Sequence, residues 1–519
     1  MVIAKNPILK GFYPDPSICR VGDDYYIVNS SFVYSPGVPI FHSKDLAHFE
    51  QIGNILETET QNAVFGEISR GIFAPTIRYH EGTFYMITTN IDNGGIFVVT
   101  ATNPEGPWSE PYYLGEDEAP GFDPDIFFDD DGKCYLVGSR PNSKGTSFDG
   151  DWEIWVRELD LSTMKLVGKG MAIWNGALRD AIWPEGPHIY KIDGYYYLLH
   201  AEGGTGPEHA ISIARSKELF KWFEGCPRNP IFSHRNFGKN YPITNTGHGD
   251  LFNDKNGNWY IVMLASRPCK QKCSLGRETF LAKVEWEDGW PVINPGEARL
   301  TDTVELPFEE VRFAKEVQSH DEMNFNTDKL DDRFVGISKR NNEIFSLTER
   351  KGFLRLYTRP ERIEDMCYPS YLGLRQKDYG FSVNTGVDFE PKFDNEVGGI
   401  VLFQNHENHL VVEITRKSGK KVLVVREYIK GQNAFVTEYE KLPEGLLNIE
   451  LRAKNQIASI YIEESGEFKL VKDNISLLPY TTEEAGGFVG CTIGMYTSSN
   501  GKKSESYCDF AWFNLEEQN

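Results

Sequence analysis

Cysteine is scarce and unpatterned: the eight residues at 19, 134, 226, 269, 273, 367, 491 and 508 are spread over 519 positions without a Cys-x-x-Cys pair. That excludes a disulfide-stapled scaffold and leaves buried, reduced thiols as the expectation. Cys269 and Cys273 form a close pair, but no second pair or nearby histidine completes a ligand set. Basic charge is also short. With 54 Lys and Arg against 76 Asp and Glu, the formal charge is −22, so nucleic acid and anionic membrane would be repelled and a neutral ligand such as a sugar fits better. The start, from Met1 to Lys10, lacks the apolar stretch of a secretory signal, and no run of roughly 18 apolar residues follows. A soluble, cytoplasmic protein is expected. Helical periodicity is rare as well, and short alternating runs between Gly, Asn, Asp and Pro clusters point to an all-β chain.

What the chain does contain is a repeat. A turn rich in Gly, Asp or Asn, then aromatic residues, then a hydrophobic run occurs at Val21–Val28, Glu81–Ile87, Asp131–Val137, Asp193–Leu199 and Asn256–Val262. The shared tyrosines, Tyr26, Tyr85, Tyr135, Tyr197 and Tyr260, are 59, 50, 62 and 63 residues apart. That period is the length of a few-stranded unit repeated around an axis, so a five-bladed β-propeller is predicted. The strand near Ile8 is expected to help complete the last blade.

The repeat also acts as a ruler. Eleven residues before Tyr26 lies Asp15, and twelve before Tyr135, Tyr197 and Tyr260 lie Asp123, Glu185 and His248; blade two has Phe73-Ala74-Pro75 there. If each turn joins the first two strands of a blade, these residues sit at equivalent places on the innermost strands and meet at the mouth of the channel. Singly, each acid reads equally well as a turn former, and His248 as a hydrogen-bonded core imidazole. Jointly they are harder to dismiss, because a charge aimed into a narrow channel is costly unless paired or used. Glycoside hydrolysis needs such a set: one carboxyl to protonate the leaving oxygen, one to deprotonate water, and a third to hold the acid protonated.

The length of 519 residues, with 40% hydrophobic and 13% aromatic content, calls for two domains. The aromatic turn disappears after Val262, and the sequence from about Leu300 to Asn326 is charged and irregular. Strand patterns then resume at Phe353–Tyr357, Gly399–Phe403, Leu410–Thr415, Lys421–Tyr428, Ile449–Arg452 and Ala458–Ile462. We expect a propeller over 1–305, a connector over 306–325 and a β-sandwich over 326–519.

At these residues the chain resembles glycoside hydrolase family 43, in particular its β-xylosidase and α-L-arabinofuranosidase members. The resemblance rests on Asn6–Ile18, Ser31–Asp45, Gly121–Asp123 with Asp129–Gly132, Glu185–Tyr190, Ala201–Thr205 and Leu275–Phe280, and continues through Ser346–Arg350 and Asp509–Phe513. It implies a propeller followed by a sandwich of concanavalin or jelly-roll type, and hydrolysis with inversion. It makes Asp15 the general base, Glu185 the general acid and Asp123 the residue that tunes and orients Glu185. Phe32 and Phe73 would face the pentose ring, Arg277 would bond its hydroxyls, and Thr205 with Glu202 would stand at the rim. His248 would orient substrate and acid, or hold a calcium ion through water; no cofactor is otherwise required. In similar enzymes a sandwich loop narrows the site, which favours removal of single sugars from chain ends. The expected partner is a neutral pentose oligosaccharide, with the oligomeric state left open. The expectation is a β-xylosidase that also removes α-L-arabinofuranosyl units, the alternatives being arabinofuranosidase as main activity or a non-catalytic sugar-binding propeller.

Overall fold

The computed structural model describes residues 1–178, 180–311 and 320–518. Five four-stranded antiparallel sheets, each running in sequence order, form the first half. Their innermost strands are Ser17–Val21, Thr76–His80, Phe122–Phe128, Glu185–Ile192 and Thr244–Asn253. Each contacts the innermost strand of the next blade, and the fifth returns to the first, which closes the propeller. Every repeat turn joins the first and second strands of its blade. The reason is local: Glu81-Gly82 and Asp193-Gly194 both take positive φ at the two central positions, the geometry a tight hairpin needs to match strand twist. The β-branched and aromatic run that follows suits a pleated, half-buried strand.

Closure uses the start of the chain less directly than a full added strand. Val2–Lys5 pairs with Thr303–Leu306 as a separate two-stranded ribbon. The stretch around Ile8 then adds a single bridge, Leu9 to Thr279, beside the third strand of blade five. Asn6 finishes this side by bonding the Leu281 backbone through both ends of its amide, each at 2.9 Å.

The second half packs a six-stranded sheet on an eight-stranded one, around a core that includes Leu356, Phe381, Val412, Leu451, Ile460, Ile493 and Phe510. All six strand patterns read from sequence fall on strands here. Of the expected connector, residues 312–319 lie outside the described residues, and His320–Asn324 is a strand paired with Tyr507–Glu517 of the eight-stranded sheet. The sandwich therefore starts slightly earlier than the change in composition implied.

The two halves share an apolar seam. Phe12, Val33 and Tyr34 of the propeller cluster with Tyr371, Phe403 and Tyr496 of the sandwich, and Gly336–Ile337 pairs with Tyr34–Ser35. Burying each such side chain is worth roughly 1.5–3 kcal/mol, so the halves behave as one body. All eight cysteines are free thiols.

Candidate active site

The ladder refines the ruler. The repeat tyrosines pair with Cys19, Arg78, Phe127, Tyr190 and Phe252, and four residues before each of these lie Asp15, Ala74, Asp123, Gly186 and His248. The turns of blades three and five, closed by Asp129 N to Lys133 O and Asp254 N to Asn258 O at 2.9 Å each, are one residue out of phase with the two-residue turns elsewhere. Asp15 is thus in step with Asp123 and His248. Glu185 is the residue displaced, by one position.

At this level the backbone turns left-handed: φ is 51° at Asp15, 51° at Asp123, 56° at Gly186 and 42° at His248. Blades three, four and five carry register irregularities at the same place, and a bulge re-aims side chains at the end of a strand. Positive φ costs a non-glycine residue of order 1–3 kcal/mol and persists only where the surroundings enforce it. Gly186 is required twice over, since a Cβ there would stand 2.8 Å from the His248 ring.

Asp15 is buried and held at both oxygens: Arg277 Nη1 donates to Oδ1 at 2.7 Å and Ser30 Oγ to Oδ2 at 2.6 Å. His248 Nδ1 lies 3.7 Å from Asp15 Oδ1 and 4.0 Å from Asp123 Oδ2. Burial alone would raise the Asp15 carboxyl, but Arg277, His248 and the Ser30 hydroxyl outweigh it and hold it below the ordinary range. Glu185 goes the other way. Burial, then the negative charge of Asp15, push its carboxyl up to about 8, with Arg277 opposing. Burial and the facing charges of Glu185 and Asp15 also raise Asp123, which accepts the Gly186 N–H at 3.1 Å. Burial keeps the His248 imidazole neutral, pulled down to about 4.

The rest of the wall is aromatic. Phe32 and Phe73 have ring centroids 5.3 Å apart, and Phe488 of the sandwich lies 6.2 Å from the first and 6.4 Å from the second. The Phe488 N–H donates to Ser69 Oγ at 2.9 Å, and its carbonyl accepts from Arg277 Nη2 at 3.4 Å. Thr205 lines a cavity of about 450 Å³ together with Arg277 and Phe488. Glu202 is not at the rim: it is fully buried and accepts the Ala177 N–H at 2.9 Å and the Ser212 hydroxyl. A calcium ion at His248 would need several hard oxygen donors. Asp15 is already engaged by Arg277 and Ser30, and among the described residues no group of three or more His, Cys, Asp and Glu is arranged to hold a metal. The donor set does not fit the ion, and no step is derived through one.

Two residues further along each inner strand, on the same face, lie Ser17, Thr76, Asp125, His188 and Asp250. They form a second polar layer, tied together by Arg78. Its guanidinium reaches Asp250 at 2.8 Å, His188 Nδ1 at 2.9 Å and Asp125 at 3.1 Å. Ser17 Oγ and Tyr190 OH donate to Asp250 at 2.8 and 2.6 Å, and the buried network fills the axis. The same ruler applied two residues later would have found this layer, because strand side chains repeat with period two. Nothing comparable pointed to Phe488, which arrives from the other domain.

An ionised carboxylate beside an arginine and a protonated carboxyl in one buried, aromatic-walled pocket on a propeller axis define an acid–base hydrolase for sugars. Residues 4–291 match the model for glycosyl hydrolases family 43, and residues 322–516 match that of the beta xylosidase C-terminal concanavalin A-like domain. The chain belongs to glycosyl hydrolase family 43. It is 66% identical over 517 residues to a xylosidase/arabinosidase of Butyrivibrio fibrisolvens, covering all of both chains. To a non-reducing end α-L-arabinofuranosidase of Bacteroides ovatus it is 37% identical, over 98% of this chain and 94% of that one. A solved xylan β-1,4-xylosidase from Bacillus halodurans superposes with a TM-score of 0.91 at 34% identity, over 99% of this chain and 100% of the other.

Proposed function

We propose that this glycosidase removes terminal β-D-xylosyl residues from xylo-oligosaccharides with inversion, and α-L-arabinofuranosyl residues in the same pocket. One observation carries the mechanism: Asp15 is held ionised by Arg277 while Glu185, facing it, stays protonated up to about 8. Water bound to Asp15 attacks the anomeric carbon from the face opposite the leaving group and gives its proton to the carboxylate. Glu185 donates its proton to the glycosidic oxygen as the C–O bond breaks, so the new sugar hydroxyl lies on the inverted face. Asp123 accepts the Gly186 N–H and so fixes the backbone beside Glu185, which orients the acid. Phe32, Phe73 and Phe488 pack on the sugar ring, and Arg277 bonds its hydroxyls.

Exo-cleavage is supported by the polar layer beneath the pocket and by Phe488 on one flank, which leave room for a chain end. The xylosidase and arabinosidase activities named for the similar proteins support both sugars.

Hydrolysis of nitrophenyl β-xyloside and nitrophenyl α-arabinofuranoside, measured side by side, tests the substrate. On xylobiose, whose leaving group needs protonation, Glu185→Gln and Asp15→Asn should each lose roughly 10²–10⁴-fold in rate. Equal inactivity of all three proteins would leave a non-catalytic sugar-binding propeller. Release of β-xylose as the first anomer, seen by NMR, would overturn inversion.

A further inference from the structure

The six-stranded sheet carries a second cavity, whose lining includes none of Asp15, Asp123 and Glu185. Strands Asn408–Lys417 and Lys420–Ile429 send Val412, Ile414, Leu423 and Val425 into the sandwich core. Their other face carries Glu413, Arg426 and Tyr428. Near Val401, Phe403 and Tyr496 that face is covered by the propeller. Past this seam it is overhung by the segment bearing Arg362 and Glu364, and a space of about 440 Å³ remains, with Asn433 of the edge strand at its border.

Its lining alternates donors and acceptors. Arg426 Nε donates to Glu413 Oε1 at 3.0 Å, Arg362 Nη1 lies 3.4 Å from Glu364, and Asn433 Nδ2 donates to Tyr428 OH at 2.8 Å. Glu413 is only 6% exposed. Burial pushes its carboxyl up to about 6 against the pull of Arg426, and the charge of Glu364 adds to the push. The lining carries three carboxyls, Glu364, Asp394 and Glu413, against Arg362, Arg416, Lys417 and Arg426; Asp365 bonded to Arg362 and Glu438 bonded to Lys417 offset the excess of cations, so neither an anion nor a cation gains from the site. Among the described residues no group of three or more His, Cys, Asp and Glu could hold a metal here. What suits such a wall is an uncharged molecule whose every edge both gives and accepts hydrogen bonds, and the volume lies within the usual range of small-molecule sites, roughly 300–1,000 Å³.

We propose that this cavity is a second saccharide site, taking a free pentose or the end of a short pentose oligosaccharide; the choice of pentose rests on the function proposed above. Carboxyl oxygens of Glu413 and Glu364 accept from sugar hydroxyls, while Arg426, Arg362 and the Asn433 amide donate to others.

The test uses the full chain carrying Glu185→Gln, which stops turnover, titrated calorimetrically with D-xylose and xylobiose. Two sites per chain are expected. Adding Asn433→Trp, which fills the cavity and leaves the Glu413–Arg426 pair intact, should remove one of them; Arg426→Met should weaken the same one at least tenfold. In the otherwise native chain Asn433→Trp should leave kcat/KM for nitrophenyl β-xyloside unchanged. A single site that survives Asn433→Trp, or two sites untouched by both changes, overturns the proposal, as does binding of glucose in place of xylose. A site lost with Asn433→Trp while the channel binds no xylobiose supports the cavity and refutes the proposed function instead.

Discussion

Asp15→Asn should do more than remove a base: it should lower the pKa of the acid facing it. Glu185 stands at about 8 against an ordinary 4.5, with burial the larger cause and the charge of Asp15 the next. Inversion places the two carboxyls about 6.5–9.5 Å apart. At roughly 8 Å and an effective dielectric of about 20, one unit charge contributes about 2 kcal/mol, or roughly 1.5 pH units. Asparagine is near in size and carries no charge, so Glu185 should fall to roughly 6.5 in the variant. The variant lacks its base, and added azide can attack in place of water, giving the inverted glycosyl azide while Glu185 still protonates the leaving group. The pH profile of kcat/KM for this rescued reaction then reports Glu185 alone on its alkaline side. In the native enzyme that limb should lie near 8, and in the rescued variant it should move down by about 1.5 units. A limb that stays near 8 would mean burial alone raises Glu185, and an upward move would refute the electrostatic reading outright.

Three further outcomes are expected. Because Glu185 stays protonated in the fold while the unfolded chain ionises above its ordinary 4.5, it costs stability as pH rises from there towards 8. Glu185→Gln should therefore be more stable than native by about 3 kcal/mol at pH 7, with almost no gain near pH 4 by calorimetry; a constant difference at both would refute the linkage. Arg78→Met strands Asp125 and Asp250 without their cation and should cost roughly 3–5 kcal/mol, read as a lowered denaturation midpoint; an unchanged midpoint would mean the axial network is not structural. Gly186→Ala puts a methyl against the His248 ring at a left-handed φ, and kcat/KM should fall by roughly 10²-fold. Activity within about twofold of native would show that the ring can move aside.

The blade count was legible because each blade repeats a hairpin whose chemistry is local: Gly or Asp where φ is positive, then a β-branched and aromatic strand. The acids were legible for the same reason, as offsets from those hairpins. Where the reading slipped, it slipped by one residue, since sequence spacing cannot show that the turns at Asp129–Lys133 and Asp254–Asn258 are longer in phase than Asp193-Gly194. Glu202 failed for a related cause: its neighbours Ala177 and Ser212 come from elsewhere in the chain, and their bonds turn it inward. Phe488 could not be found by any offset, because domain docking, not strand periodicity, brings it to Arg277.

The layer centred on Arg78 has a consequence for traffic. With Asp125, His188 and Asp250 drawn together across the axis, the propeller is a cup and not a pipe, and a sugar that enters past Phe32 and Phe488 has one doorway. The released monosaccharide must back out through the opening that the next chain end needs. Successive cleavages on one chain are then separate encounters, and free product competes with substrate for the same entrance.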